Sequence, residues 1–514
     1  MMKRIVHLLA IALSAAVFAT ACDPTNADPV NDDNGNNNTN NNTNNNNTKL
    51  PSEEIQQADY FAALSLSTYY LWVDKMRSDI SKLDPETCFD PITVVHDIRY
   101  HANGNEVDHW TQLTDDLKSM TSSVEGLGLT YGYDLQAGRI SNKDGVYFLI
   151  VGYVVKDSPA EKAGLKRGDI IMTIDGADIT ISNIYDAFNT AKVSLGIAHL
   201  TSDGYLGQVE KEVSLAAVDM WEDPILLAKT FDVDGKKVGY LIYNSFDVKS
   251  METLPDVFRQ FKADGVEELI LDLRYNGGGF VITECELASL IAPYASVAAK
   301  DVYQTEIYND LLTEAWKDED SNTYFDTKFE YKSGDYDISV DISDANPGIK
   351  KLYVIVSGGS ASASEGLIVG LTPYMDMTLV GERTYGKYCA GYMLPPSTFK
   401  GWYDDYFYDE IGNWGIYVMV STFADKNGSN QAMPDGIPAD IEVEDNVFDG
   451  YQLGDEEETM LKAALKAAGK TYAETKASAG RARLFPTEHL DHGAPRGMLI
   501  KTDLPRLNFS EIAR

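Results

Sequence analysis

Histidine is missing from residues 200–488 of this 514-residue chain. His7, His96, His101, His109 and His199 precede that stretch, and His489 and His492 follow it. A hydroxyl nucleophile inside it must use another base or borrow one from far away in sequence. Cysteine is scarce too: Cys22, Cys88, Cys285 and Cys389 form no C-x-x-C pair and no Cys/His cluster, which argues against zinc. No G-x-S-x-G turn occurs, so an esterase or amidase of small molecules lacks its usual elbow. Positive charge is short as well. Lys and Arg number 43 against 79 Asp and Glu, a net charge of −36. Such a surface repels nucleic acid and anionic lipid, so neither is expected as a partner of the folded body. What is present is an ordinary globular composition, 44% apolar, with length for two or three domains.

The N-terminus reads as a targeting segment. A basic "MMKR" leads into the apolar "IVHLLAIALSAAVFATA", which is short for a spanning helix and lacks a basic stop signal. "FATAC" resembles a bacterial lipobox, which implies that residues 1–22 include a lipoprotein signal peptide and that Cys22 carries the lipid. Residues 23–50, rich in Asn and Thr, cannot bury a core and form a tether that holds the body clear of a membrane. Residues 51–119 are expected to be a helical N-terminal region. Ser52 is placed to cap, and Tyr60, Phe61, Tyr69, Tyr70 and Trp72 are expected to pack against the body.

From about residue 120 the pattern becomes strand-rich. "VYFLIVGYVV" is a strand run, and "SPAEKAGLKRGDIIMTIDG" reads as capped helix, glycine stop, turn, strand and tight turn. This block, residues 120–222, resembles a bacterial PDZ domain. The resemblance implies that "GLGL", Gly126, Leu127, Gly128 and Leu129, is a carboxylate-binding loop for peptide C-termini, with the peptide adding a strand to the sheet edge.

Residues 223–450 alternate strands and helices, the signature of an α/β layer with largely parallel strands. A Tyr- and Asp-rich segment at about 301–348 is expected to be a hairpin-like insertion. A C-terminal helix and a loosely attached tail fill 451–514. Three pieces of this unit could carry chemistry. "LDLRYNGGG" ends a strand in glycines whose N–H groups could hold an oxyanion. "SGGSASASEG", Ser357 to Gly366, puts serines at a strand-to-helix turn, where a helix N-terminus favours negative charge. "GERTYGK" ends at Lys387, and a desolvated lysine can replace histidine as base. The residues alone do not choose among these serines.

Together these motifs resemble the C-terminal processing peptidases, the S41 serine proteases, over about residues 120–470. The resemblance implies a crotonase-like (ClpP/crotonase) α/β protease core behind the PDZ domain. It implies Ser362 as nucleophile, Lys387 as general base, and the N–H groups of Gly278 and Ala363 as oxyanion donors, with no metal or other cofactor. It departs at one point. Where the family has a Gln that orients the lysine, this chain has Gly391, and the Gly that usually follows the lysine is Tyr388. Tyr388 and Gln431 are candidate substitutes. The expected activity is a serine endopeptidase acting on polypeptides with free C-termini, lipid-anchored in a bacterial cell envelope. The alternative is a PDZ-bearing lipoprotein that binds such termini without cutting.

Overall fold

A computed structural model describes residues 50–140, 143–201, 204–333, 336–399, 411–472, 487–490, 498–502 and 507. Cys22, the signal segment and nearly all of the tether lie outside these residues. Among the described residues no helix is long and apolar enough to cross a membrane.

The N-terminal region opens with helix α1, Glu53–Tyr69, whose first turn Ser52 caps by accepting from Ile55 N. Ala58, Phe61, Ala62, Leu66 and Tyr69 recur at three- and four-residue spacing and are all buried in the largest core. This region is not only helical. Strand β1, Gln112–Thr114, joins a core sheet 300 residues downstream in sequence.

The PDZ unit follows with β2 (Leu127–Thr130), β3 (Tyr133–Arg139), β4 (Tyr147–Val154), β5 (Ile170–Ile174), β6 (Lys192–Ala198), β7 (Lys211–Ala216) and β8 (Val218–Trp221). Its sheet runs β7-β6-β5-β4-β3, while β2 pairs only with β8. Leu135, Leu149, Val151, Ile171 and Leu195 point inward from alternate strand positions and give the unit its own core.

The α/β core has two sheets. The first comprises β9 (Ile225–Val233), β10 (Lys236–Tyr243), β11 (Glu268–Asp272), β17 (Lys351–Val356), β18 (Asp376–Gly381) and β21 (Ile441–Glu442), in that order. All pairs except β9–β10 are parallel. Helix α2 (Leu254–Asp264) connects β10 to β11 and ends at Gly265, in the left-handed conformation that a helix stop favours. In β17, "KLYVIV", Leu352, Val354 and Val356 join the large core, and Tyr353 and Ile355 join the opposite one. That opposite layer is closed by helix α5, Thr459–Ala467, through Met460, Leu461 and Leu465. Burial on both faces explains why these strands read as continuous apolar runs.

The second sheet runs β12 (Gly279–Phe280), β23 (Leu499–Lys501), β19 (Cys389–Leu394), β20 (Gly415–Asp425), β13 (Val302–Tyr308) and β14 (Asn322–Tyr324), with β1 also on β20. Helices α3 (Val281–Ile291) and α4 (Ala363–Leu371) pack together, and α4 also meets β20. Two expectations are corrected here. Within 301–348, β15 (Lys328–Ser333) and β16 (Tyr336–Asp341) do form a hairpin, but β13 is an internal strand of the second sheet rather than an insertion. The tail is not loosely attached where it is described. β22 (Thr487–His489) pairs with β3 of the PDZ unit, and β23 lies inside the second sheet.

Candidate active site

Ser362 is the residue before helix α4, and its backbone is strained. It has φ +63 and ψ −112, left-handed for a residue with a Cβ. Its side chain is fully buried, and its Oγ has no hydrogen-bond partner among the described residues. Gly278 explains part of the geometry. A Cβ built there would stand 2.7 Å from Ser362 Cβ, so only glycine allows "NGGG" to approach the serine this closely.

Lys387 follows the end of β18 and is also completely buried. Burial pushes its ammonium down to about 7, outweighing the nearby negative groups that favour the charge. Its Nζ donates to Tyr417 Oη at 2.9 Å and lies over the rings of Trp110 and Tyr417 at 5.2 and 5.0 Å.

One carboxylate holds the two segments together. Glu365 Oε2 accepts from Ser362 N at 3.0 Å and from Lys387 N at 2.8 Å. Its Oε1 accepts from Gly386 N at 2.7 Å and Thr384 Oγ1 at 2.5 Å. Ser362 N and Lys387 N therefore stand within two hydrogen-bond lengths of each other. Burial raises the Glu365 carboxyl to about 7, against the donors that surround it. Glu365 was legible as the third residue of a helix after a serine N-cap, the S-x-x-E pattern, but not as the staple to a second strand.

The structure thus brings Ser362, Lys387, Gly278 and Ala363 into one neighbourhood, with two differences from expectation. Ser362 Oγ and Lys387 Nζ are not hydrogen-bonded to each other. Gly278 N–H donates to Asn276 Oδ1 at 2.9 Å rather than standing open. Ala363 N–H, the first of helix α4, has no acceptor among the described residues.

Two site residues escaped sequence reasoning. Trp110 reaches Lys387 from the N-terminal region, and nothing local marked it. Tyr417 fills the place left by the missing Gln: a Cβ on Gly391 would stand 2.6 Å from Tyr417 Cε2. The absent side chain at Gly391 is thus what admits a tyrosine from the paired strand, Gly391 lying opposite Met419 in the ladder. Tyr417, rather than either of the residues expected to substitute for the Gln, is the acceptor of the 2.9 Å bond from Lys387 Nζ.

The "GLGL" stretch differs in form from the expected loop. Leu127–Thr130 form a strand paired antiparallel with Val218–Trp221, not an open loop. Leu127 and Leu129 are exposed. Gly128 has φ +147 with free space around a built Cβ, so backbone conformation and not crowding favours glycine there.

The model of peptidase family S41 matches residues 237–443, and that of a PDZ domain matches 150–194. The chain is similar to peptidase family S41 over residues 237–443, less than half of its length. The carboxyl-terminal-processing protease of Synechocystis sp. is 27% identical over 236 residues, covering 45% of this chain and 47% of its own. The carboxy-terminal processing protease CtpB of Bacillus subtilis is 26% identical over 276 residues, covering 52% and 48%. The chain thus spans about half the length of the curated relatives it matches. A crystal structure assigned to the S41 proteases, from Bacteroides fragilis, superimposes with a TM-score of 0.61 at 23% identity. It covers 79% of this chain and 96% of its own, and it shows the shared α/β fold.

Proposed function

We propose that this chain is a serine endopeptidase in which Ser362 attacks the scissile carbonyl and Lys387 takes its proton. The observation that carries this reading is the pair itself: a lysine held near neutrality by burial, clamped by Glu365 beside a strained serine. A lysine deprotonated near pH 7 can accept the serine proton and return it to the leaving amine. Ala363 N–H, at the positive end of α4, is the donor for the tetrahedral oxyanion. Tyr417 and Trp110 are positioning residues: the phenol and the indole hold Nζ in a dry, aromatic box. In the present arrangement Nζ rests on Tyr417, and a side-chain rotation delivers it to Ser362.

The substrates are polypeptides with free C-termini, captured at the PDZ unit. The docking strand is the edge of β3, which β22 of the tail covers in this structure and must leave for a peptide to bind. Cys22 anchors the chain to a membrane of the bacterial cell envelope through lipid, and Cys22→Ala should release it from membrane fractions. The decisive test incubates purified protein with an unfolded protein ending in apolar residues, alongside Ser362→Ala and Lys387→Ala. Wild type should cut and both variants should not. Equal cutting by Lys387→Ala would remove the lysine from the mechanism.

A further inference from the structure

The second sheet contains a gap that something must fill. β12 directly follows Gly278, the glycine that approaches Ser362, and β19 carries Gly391, against which Tyr417 packs. These two strands are not paired with each other. Between them runs β23, parallel to both, with Leu499 opposite Gly279, and Ile500 opposite both Phe280 and Gly391. Only two residue pairs hold it on each side. Removed, it would leave backbone donors and acceptors of both strands unpaired beside the candidate nucleophile, which is the requirement for strand addition.

The filling is specific. Met498 and Ile500 are buried in the large core. Lys501 is buried too; its Nζ pairs with Glu306 and donates to Tyr308 Oη at 2.9 Å. Glu306 is itself fixed by Ser421 Oγ at 3.1 Å and Tyr308 Oη at 2.7 Å. The same tail also covers the PDZ unit. β22 pairs antiparallel with the outer edge of β3, Thr487 Oγ1 donates to Gln136 Oε1 at 2.8 Å, and Leu490 packs on the PDZ core. A single segment thus occupies two strand-accepting edges, one at the PDZ unit and one beside Ser362.

We propose that the gap between Gly279–Phe280 and Gly391–Tyr392 is a polypeptide-binding slot, that it takes an extended chain carrying an apolar residue followed by a basic one, and that residues 498–501 of this chain are its resident, exchangeable occupant. The apolar position is the one Ile500 fills, and the basic position is read by Glu306. The inference deepens the endopeptidase reading by placing the substrate strand, and it makes the tail a competitor of substrate. Only that consequence rests on the reading; occupancy of the slot does not.

The experiment measures binding, so it survives a failure of the catalytic reading. The probe is a fluorescent peptide of residues 485–503, added to full-length protein carrying Ser362→Ala. Wild-type tail should exclude it, whereas Lys501→Glu in the tail should release the slot and tighten peptide binding at least about tenfold. A peptide with Lys501→Glu should lose that binding. Glu306→Lys combined with Lys501→Glu should restore the closed state, which separates tail release from misfolding. On the Ser362 background, the released variant should also cut unfolded protein faster than wild type. If peptide binds while no variant cuts, the slot stands and the endopeptidase reading falls. Equal peptide binding by wild type and Lys501→Glu overturns the proposal, as does no binding by either. Unfolding of Lys501→Glu that the charge swap repairs, with no peptide uptake, also overturns it, because β23 would then be a fixed part of the sheet.

Discussion

Lys387 and Arg274 are both buried cations in the same core, and their surroundings are opposite. Arg274 touches three carboxylates: Asp272 at 2.7 Å, Glu458 at 2.7 Å and Asp445 at 3.1 Å. Arg167 of the PDZ unit joins the same cluster through Asp445 and Tyr275 Oη. Against burial, which opposes charge, these acids hold the Arg274 guanidinium well above its ordinary range. Against burial likewise, Arg167 and Arg274 hold the Asp445 carboxyl down to about 2. Lys387 instead donates to a phenol and faces two aromatic rings, and burial prevails, pushing it to about 7. One cation is locked charged within a cluster that Arg167 joins from the PDZ unit; the other can lose its proton at physiological pH.

The comparison breaks most visibly in activity. Lys387→Ala should lower kcat/KM by about 10²–10⁴-fold while the protein stays folded. Single-turnover cleavage with circular dichroism checks both halves. A similar loss with a melted core would mean that Lys387 is structural.

Arg274→Met should leave chemistry nearly intact per folded molecule but cost about 3–5 kcal/mol of stability, since Asp272 loses its cation and Asp445 and Glu458 are left with Arg167. Denaturant titration measures it. Lys387→Met should do the reverse, raising stability by about 1–4 kcal/mol. The sign with pH follows from the lowered lysine. Between about pH 7 and the ordinary lysine value the unfolded chain holds a proton that the folded protein lacks, so stability rises with pH across that window. The buried lysine therefore costs most below about pH 7, and the advantage of Lys387→Met should be largest there and fade toward pH 10. A constant advantage across that range would contradict the lowered lysine.

The legible part of this site is the part written in local pattern. Ser362 and Lys387 each follow a strand with a long apolar signature, and Glu365 sits at the helix position where a carboxylate reaches back. Trp110 was invisible because its contact spans 277 residues and its neighbours carry no periodicity. Tyr417 was invisible because it points in from a neighbouring strand, and its only sequence trace is the glycine it packs against. Strands of two or three residues, such as β12, β22 and β23, are too short for alternation to register, so the tail read as loose. "GLGL" read as a loop because glycine marks both turns and irregular strands.

The smallest expected effect tests how finely Lys387 is tuned. Tyr417 Oη accepts from the ammonium and so favours its charged form. Tyr417→Phe keeps the ring and the burial but removes that acceptor. The rising limb of kcat/KM, set by loss of the Lys387 proton, should shift to lower pH by up to about one unit. Its plateau should fall by about tenfold or less as Nζ loses its fixed direction. Gly391→Ala should act through the same contact, because the new methyl would meet Tyr417 Cε2 at 2.6 Å and displace the ring. On a Tyr417→Ala background the methyl still meets Met419 Cε at 2.6 Å and Val418 O at 2.8 Å, but it has no ring to displace, so the part of its effect that runs through Lys387 should not add. Full additivity in pH–rate profiles would place Tyr417 outside the control of Lys387 and leave the aromatic box as packing alone.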